Sequence, residues 1–460
     1  MLNQNEKYNY NKNIKTNRER FNGSGAVALL RVLVKLTGIT ALCGALLFSG
    51  IYIGKKASIP EDAPMFVKDP AVTTTETSAQ VTMAEITAPP TTTLREIVET
   101  LPYNQLSEDF WGPLPSIEGG AEVTRNEVRG LYIGAAANLD ANIEIAKNST
   151  INSFVIDLKE TDYLYYNTSN QTAREIGYVS DNAYNLADVC QKCHDNDIWV
   201  IGRIVCFKDV HLANAYPERA ICDSNGEILL FNNEGSEAFV NPYDTRNWDY
   251  LISIAEEAIS MGVDEIQFDY VRFPTGSTVN GNEPYFGIEG EVPSKCDAIN
   301  RFLQTARIRI QDTLGVPVSA DIFGIAVSSQ LDGNILGQDW SKVGLTGVDS
   351  VCPMIYPSHY ALGTMMNGHV FEHPDLEPYD VMFSALELGK TYHTQDGYAT
   401  VRPYCQAFTA SYIGAGNYMN YDYNAINEQI KAIQDQGLTE FILWNPSGEY
   451  PSGNYGGNQG

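Results

Sequence analysis

The sequence predicts an α/β fold, a (β/α)8 barrel, on three observations. Eight short apolar runs with strand-like alternation, separated by helical stretches, fill residues 128–450. Polar residues appear late in these runs and on one parity, as where the carboxyl ends of barrel strands carry a site. No glycine-rich phosphate-binding turn follows the first run, which argues against an open doubly wound sheet.

The front of the chain is different in kind. Residues 1–35 hold seven Lys/Arg against two Asp/Glu, a net +5, whereas the remainder carries −32 of the total −27. Residues 36–54 are nineteen positions without a charge, long enough to span a bilayer, with Arg31 and Lys35 able to snorkel. The positive excess before this stretch places a basic cytoplasmic tail inside and the bulk of the chain outside the cell membrane. A cleaved signal peptide fits less well, because the apolar core is long and no small-residue cleavage site closes it. Residues 55–123, with TTTETSAQ and APPTTT, read as a disordered Thr/Pro-rich stalk that buries too little apolar surface to offset its ordering entropy. Within it, Phe110 and Trp111 are expected to pack on the body. The barrel domain is expected over 124–450 and a flexible Gly-rich tail over 451–460.

Strands are predicted near 129–134, 153–159, 199–207, 265–271, 316–323, 350–356, 402–408 and 441–445. Helices are predicted over 139–147, 186–196, 249–261, 295–314 and 423–436. Hydrophobic residues at 43% and aromatics at 11% supply a large core. The acidic body argues against nucleic acid, since phosphate binding needs clustered Lys/Arg. Beyond Cys43, seven cysteines at irregular spacing make no disulfide framework and suit packing better.

DEIQFDYVRFP at 264–274 is the most informative stretch. Ile266 and Phe268 share one parity of a strand and Gln267 and Asp269 the other, so one face is apolar and the other ends in a carboxylate. A structural Asp269–Arg272 ion pair at the rim is the alternative to a functional Asp269. The same pattern turns Asp157 and Lys159 of the second strand toward the barrel mouth, and Ser319 and Asp321 of the fifth inward. Arg203, Arg402, Tyr404 and Gln406, Tyr356 with His359, and Trp444 with Asn445 complete the set. Glycoside hydrolysis needs two carboxyl groups flanking the scissile bond. Asp269 and Asp321, on neighbouring strands, are the expected catalytic pair, with a buried partnership to Arg203 or Arg272 as the alternative for Asp321, and with Asp157 either a third participant or neutralised by Lys159. Asp157, Lys159, Arg203, Arg272, Tyr356, His359, Arg402, Gln406 and Trp444 are expected to bind substrate, although ion-pair scaffolding is open for the charged ones and core packing for Trp444. No cofactor or metal is expected.

The segments RGLYI (129–133), FVIDLK (154–159), GRIVCFKD (202–209), DEIQFDYVRFP, PMIYPSHY (353–360), RPYCQAF (402–408) and LWNPSGEY (443–450) carry a resemblance, in order, over about 128–450. The chain resembles the putative glycosyl hydrolase domain family of bacterial envelope proteins, long catalogued as a domain of unknown function. That resemblance implies a TIM barrel and a carbohydrate-active role. A family 18 chitinase would instead end the fourth strand in D-x-x-D-x-D-x-E, whereas the aligned positions here are Asp264, Gln267, Asp269 and Val271. Enzymes with a glutamate nucleophile on the seventh strand are not matched either, since Gln406 stands there. An Asp ending the fourth strand resembles retaining α-glycosidases.

Two motifs are decoys. CQKCH at 190–194 matches a c-type haem site, but Leu186, Val189, Cys190 and Cys193 share an apolar helical stripe. HVFEH at 369–373 matches an inverted zinc-peptidase motif, but Gly368 and Pro374 bracket it, and that motif requires a helix. The expectation is a membrane-anchored extracellular glycoside hydrolase acting on an envelope or extracellular polysaccharide. The rival from another class is a non-catalytic carbohydrate-binding cell-surface barrel.

Overall fold

The computed structural model describes residues 105–457 apart from 118, 288 and 289; the predicted basic tail, membrane anchor and most of the stalk lie outside the described residues. Among the described residues no helix is long and apolar enough to cross a membrane.

Eight parallel strands close a barrel: β1 Arg129–Tyr132, β2 Ser153–Lys159, β3 Trp199–Val205, β4 Glu265–Asp269, β5 Val318–Phe323, β6 Ser350–Met354, β7 Tyr404–Gln406 and β8 Phe441–Trp444. Each pairs with the next, and β1 pairs with β8 at Arg129↔Phe441, which leaves no open edge. The seventh strand begins as Thr400–Val401 and is interrupted at Pro403, which has no N–H to give the ladder.

Around the barrel run α1 Gln105–Trp111, α2 Leu139–Lys147, α3 Leu186–His194, α4 Thr245–Ser260, α5 Lys295–Ala306, α6 Pro378–His393 and α7 Tyr423–Asp435. Their starts are written in side chains. Ser294 and Asp297 form a reciprocal capping box on α5, and Asp244 and Asp422 cap α4 and α7. Helix α6 lies outside the predicted set because it opens on Pro378 and buries a broad, weakly periodic surface. After β5 three short helices, Gly324–Ser328, Gln330–Leu336 and Trp340–Val343, replace one long one.

Trp111 of α1 packs on the body as expected: it donates through Nε1 to the Tyr243 carbonyl at 3.1 Å and stacks on the Tyr243 ring. At the other end Tyr455, expected in a flexible tail, is fully buried, and its carbonyl accepts from Thr150 Oγ1 at 2.5 Å.

Strand alternation separates two cores. Phe154, Ile156, Ile204, Ile266, Phe268, Val318, Ala320 and Ile322 face the helices, while Val155, Ile201, Cys352, Tyr356, Tyr404 and Ile442 fill the lumen. A one-residue register slip would exchange the two sets, so the pattern pins the register. Both decoys resolve structurally: Cys190 and Cys193 are buried on α3, and HVFEH enters a short hairpin, Thr364–Met366 with His369–Phe371, rather than a helix.

Candidate functional site

A cleft of about 760 Å³ opens at the carboxyl ends of the strands. Its floor takes Arg203 from β3, Asp269 from β4, Asp321 from β5, Met354 from β6, Tyr404 from β7 and Trp444 from β8. Loops add Lys208, Glu234, Glu237, Tyr270, Arg272, Tyr356 and His359.

Phe268 lies in register with Ala320, so Asp269 and Asp321 follow side by side on adjacent strands with side chains on the lumen face. Their surroundings differ. Asp269 accepts from Arg203 Nε at 3.0 Å and Nη2 at 2.6 Å, and from the Tyr270 backbone N–H at 2.5 Å. Tyr270 holds a left-handed φ of 47°, a strained setting for a bulky residue, and this turn aims its N–H back at Asp269. Asp321 is 1% exposed, and neither of its carboxylate oxygens has a hydrogen-bond partner. Burial, and after it the neighbouring Asp269 charge, push its carboxyl well above the usual range. Its backbone is braced by Gln338, whose Nε2 donates to the Asp321 carbonyl at 3.0 Å and the Val271 carbonyl at 3.2 Å, tying the ends of β4 and β5 together.

Arg203 is the hub. Besides Asp269 it donates to Asp157 at 2.5 Å and to Glu160, and it lies over the Tyr132 ring. Asp157 also accepts from Tyr132 Oη at 2.5 Å. Burial pushes Asp157 up to about 6 even against the pull of Arg203. Glu160 moves the other way: burial opposes, but Arg203 holds it below the usual carboxylate range.

Aromatic rings form one wall. Trp444 packs on Tyr356 (centroids 5.5 Å, 27° between planes) and Tyr132 (5.9 Å, 35°), and Tyr356 meets the His359 ring edge-on at 5.0 Å.

Of the residues expected to bind substrate, Arg203, Arg272, Tyr356, His359 and Trp444 line the cleft, together with Asp269 and Asp321. Four expected binding residues do not. Asp157 lies beneath Arg203, 4% exposed. Lys159 points away from the lumen: the β2–β3 ladder slips between Asp157 and Lys159, so Lys159 pairs with outward-facing Ile204. There its Nζ is buried 3.0 Å from Asp209 and donates to the Val205 carbonyl at 2.7 Å. The bulge inverts parity for everything after it. Arg402 sits at the opposite end of the barrel, bound to Glu265 at 2.5 Å, Glu440 at 2.8 Å and Ser350 at 3.1 Å, all at or next to strand starts. Gln406 is spent on scaffolding, donating to Asp375 at 2.8 Å and accepting from the Ser358 N–H at 3.0 Å. The alternative ion pair of Asp269 with Arg272 is replaced by another: Arg272 is bidentate to Glu234, at 2.9 and 3.1 Å.

Sequence reasoning missed Glu160, Glu234, Tyr132 and Tyr270. Glu160 and Tyr270 directly follow β2 and β4, but continued strand parity assigns both to the outer face with Leu158 and Phe268; the β2 bulge and the left-handed turn at Tyr270 bring them to the site instead. Glu234 lies in the long β3 loop, where no periodicity marks it.

Comparison with curated proteins gives no match. A hypothetical protein from Ruminiclostridium thermocellum ATCC 27405 is 38% identical over 42% of this chain and 96% of its own, with a TM-score of 0.36. The PgaB (BpsB) glycoside hydrolase domain from Bordetella bronchiseptica, 10% identical over 70% of this chain and 95% of its own, has a TM-score of 0.50 and shares the fold. The α-galactosidase TtGalA from Thermus thermophilus is 9% identical over 71% and 60% of the two chains, with a TM-score of 0.42. The family model described as "Putative glycosyl hydrolase domain" matches residues 128–450, the whole barrel from before β1 to beyond β8. With more than half of its length matched and the barrel in place, the chain belongs to this glycosyl hydrolase domain family.

Proposed function

We propose that the protein cleaves a glycosidic bond of a polysaccharide in the cleft, with Asp321 as proton donor and Asp269 as the anionic partner. The observation that carries this is the contrast between two neighbouring carboxyl groups. Donors surround Asp269, while Asp321 has none and is pushed toward its neutral form. Environments that drive two acids apart are what acid-and-base work at one bond requires. Asp321 protonates the departing glycosidic oxygen. Asp269 either attacks the sugar carbon or activates water, depending on carboxyl separation in the substrate complex. Arg203 holds Asp269 in place, and the Trp444–Tyr356 wall gives sugar rings an apolar face.

The cell-surface setting belongs to the same proposal: residues 36–54 anchor the chain and the barrel stands outside on its stalk. The charge asymmetry and the uncharged stretch support it. Incubating the protein with a panel of envelope and extracellular polysaccharides and separating the products tests the activity. New reducing ends from at least one polymer, lost on Asp321→Asn, are expected; binding without cleavage across the panel would favour the non-catalytic barrel. Deleting residues 1–56 should move the protein from the membrane to the soluble fraction, and continued membrane association would contradict the anchor.

A further inference from the structure

The cleft holds three cations, and each is already committed. Arg203 is shared among Asp157, Glu160 and Asp269. Arg272 is taken by both oxygens of Glu234, which is 4% exposed and further fixed by the Thr275 N–H at 2.9 Å and Oγ1 at 2.8 Å. Lys208 Nζ lies 3.0 Å from Glu237 and 4.0 Å from the same Glu234. Glu234 is held below the usual carboxylate range because Arg272 and Thr275 outweigh its burial. What the lining has in surplus is acid: with Asp321 set aside as the neutral proton donor, Glu234, Glu237, Asp269 and Asp332 still outnumber the three cations, and Asp332 accepts from Ser329 in its own helix cap. A sugar carboxylate, sulfate or phosphate entering here would lose its hydration, find every guanidinium and ammonium occupied, and meet more carboxylates than cations. The net −32 of the chain beyond residue 35 repels such polymers before contact.

We propose that the cleft selects against anionic glycans, that its substrate is a neutral or amine-bearing polysaccharide, and that Glu234 sets this selectivity by occupying Arg272. This rests on the cleft being a glycan site, as argued above. Discrimination here works through repulsion and through withheld partners rather than through a dedicated recognition contact.

The test is calorimetric binding to the full-length protein of three probes of equal length: N-acetylated chitin oligomer, chitosan oligomer and oligogalacturonate, with product analysis alongside. The neutral or the amine-bearing probe should bind at least about ten-fold tighter than oligogalacturonate. Glu234→Gln keeps shape and frees Arg272, and should raise oligogalacturonate affinity about ten-fold. Glu237→Gln, at an exposed side chain where folding is not at stake, leaves Lys208 only its longer contact with Glu234 and should shift affinity the same way. Oligogalacturonate binding wild type as tightly as the others, or no gain in either folded variant, would overturn the selectivity. A chitin or chitosan oligomer bound but left intact counts against hydrolysis of that bond and supports the selectivity. Cleaved galacturonate does the reverse.

Discussion

Arg203 and Asp269 meet through two hydrogen bonds to one oxygen, from Nε at 3.0 Å and Nη2 at 2.6 Å, while the remaining Nη1 is divided between Asp157 and Glu160. One guanidinium thus orders three buried or half-buried carboxylates behind the cleft. Arg203→Met should cost about 3–5 kcal/mol, because it removes the counter-charge that these clustered acids share. Arg203→Lys keeps the charge but offers a point where a planar fork is needed. It should fold with a smaller loss in thermal midpoint and a clear fall in turnover. Thermal unfolding and kinetics of the two variants check this, and a fully active Arg203→Lys protein would contradict it.

The pH dependence of stability has a definite sign. Burial raises the Asp321 carboxyl well above the ordinary range and pushes Asp157 up to about 6. An acid whose folded pKa exceeds its unfolded value of about 3.9 takes up a proton on folding, so its contribution is full at low pH and is lost as pH rises through the folded pKa. Asp321→Asn cannot ionise. It should therefore be more stable than wild type near neutral pH, by a margin that shrinks as pH falls toward about 4. Denaturant unfolding of both proteins across that range measures the margin; a difference independent of pH would contradict it.

Arg402 separates scaffold from site. It binds Glu265 and Glu440 at the far end of the barrel, fully buried. Arg402→Met should lose about 3–5 kcal/mol of stability by leaving buried Glu265 without a cation and Glu440 with Arg125 alone. Turnover per folded molecule should stay near wild type. Activity normalised to the folded fraction checks it, and loss beyond that fraction would place Arg402 in the binding path.

Much of this was legible in the sequence because strand parity is a strict rule. The alternation in EIQFD sent Ile266 and Phe268 outward and Gln267 and Asp269 inward, and the same rule paired Asp269 with Asp321. It failed at Lys159, because a bulge leaves no mark in composition, and one skipped position turns an inward lysine outward. Arg402 failed for another reason. Parity gives the face but not the depth, and an inward residue at the start of a strand fills the barrel floor rather than the mouth. Glu234 was out of reach altogether: it comes to Arg272 across thirty-eight positions of chain, through a loop whose shape no local period encodes.

The central claim is tested most directly by Asp269→Asn, with turnover and thermal unfolding measured on the same preparation against an identified polysaccharide. Arg203 keeps Asp157 and Glu160 as partners in this variant, so no cation is stranded and the melting temperature should change little. Turnover should fall by about 10²–10⁴, since the amide keeps the shape but can act neither as nucleophile nor as base. A folded Asp269→Asn protein with near wild-type turnover would contradict the assignment.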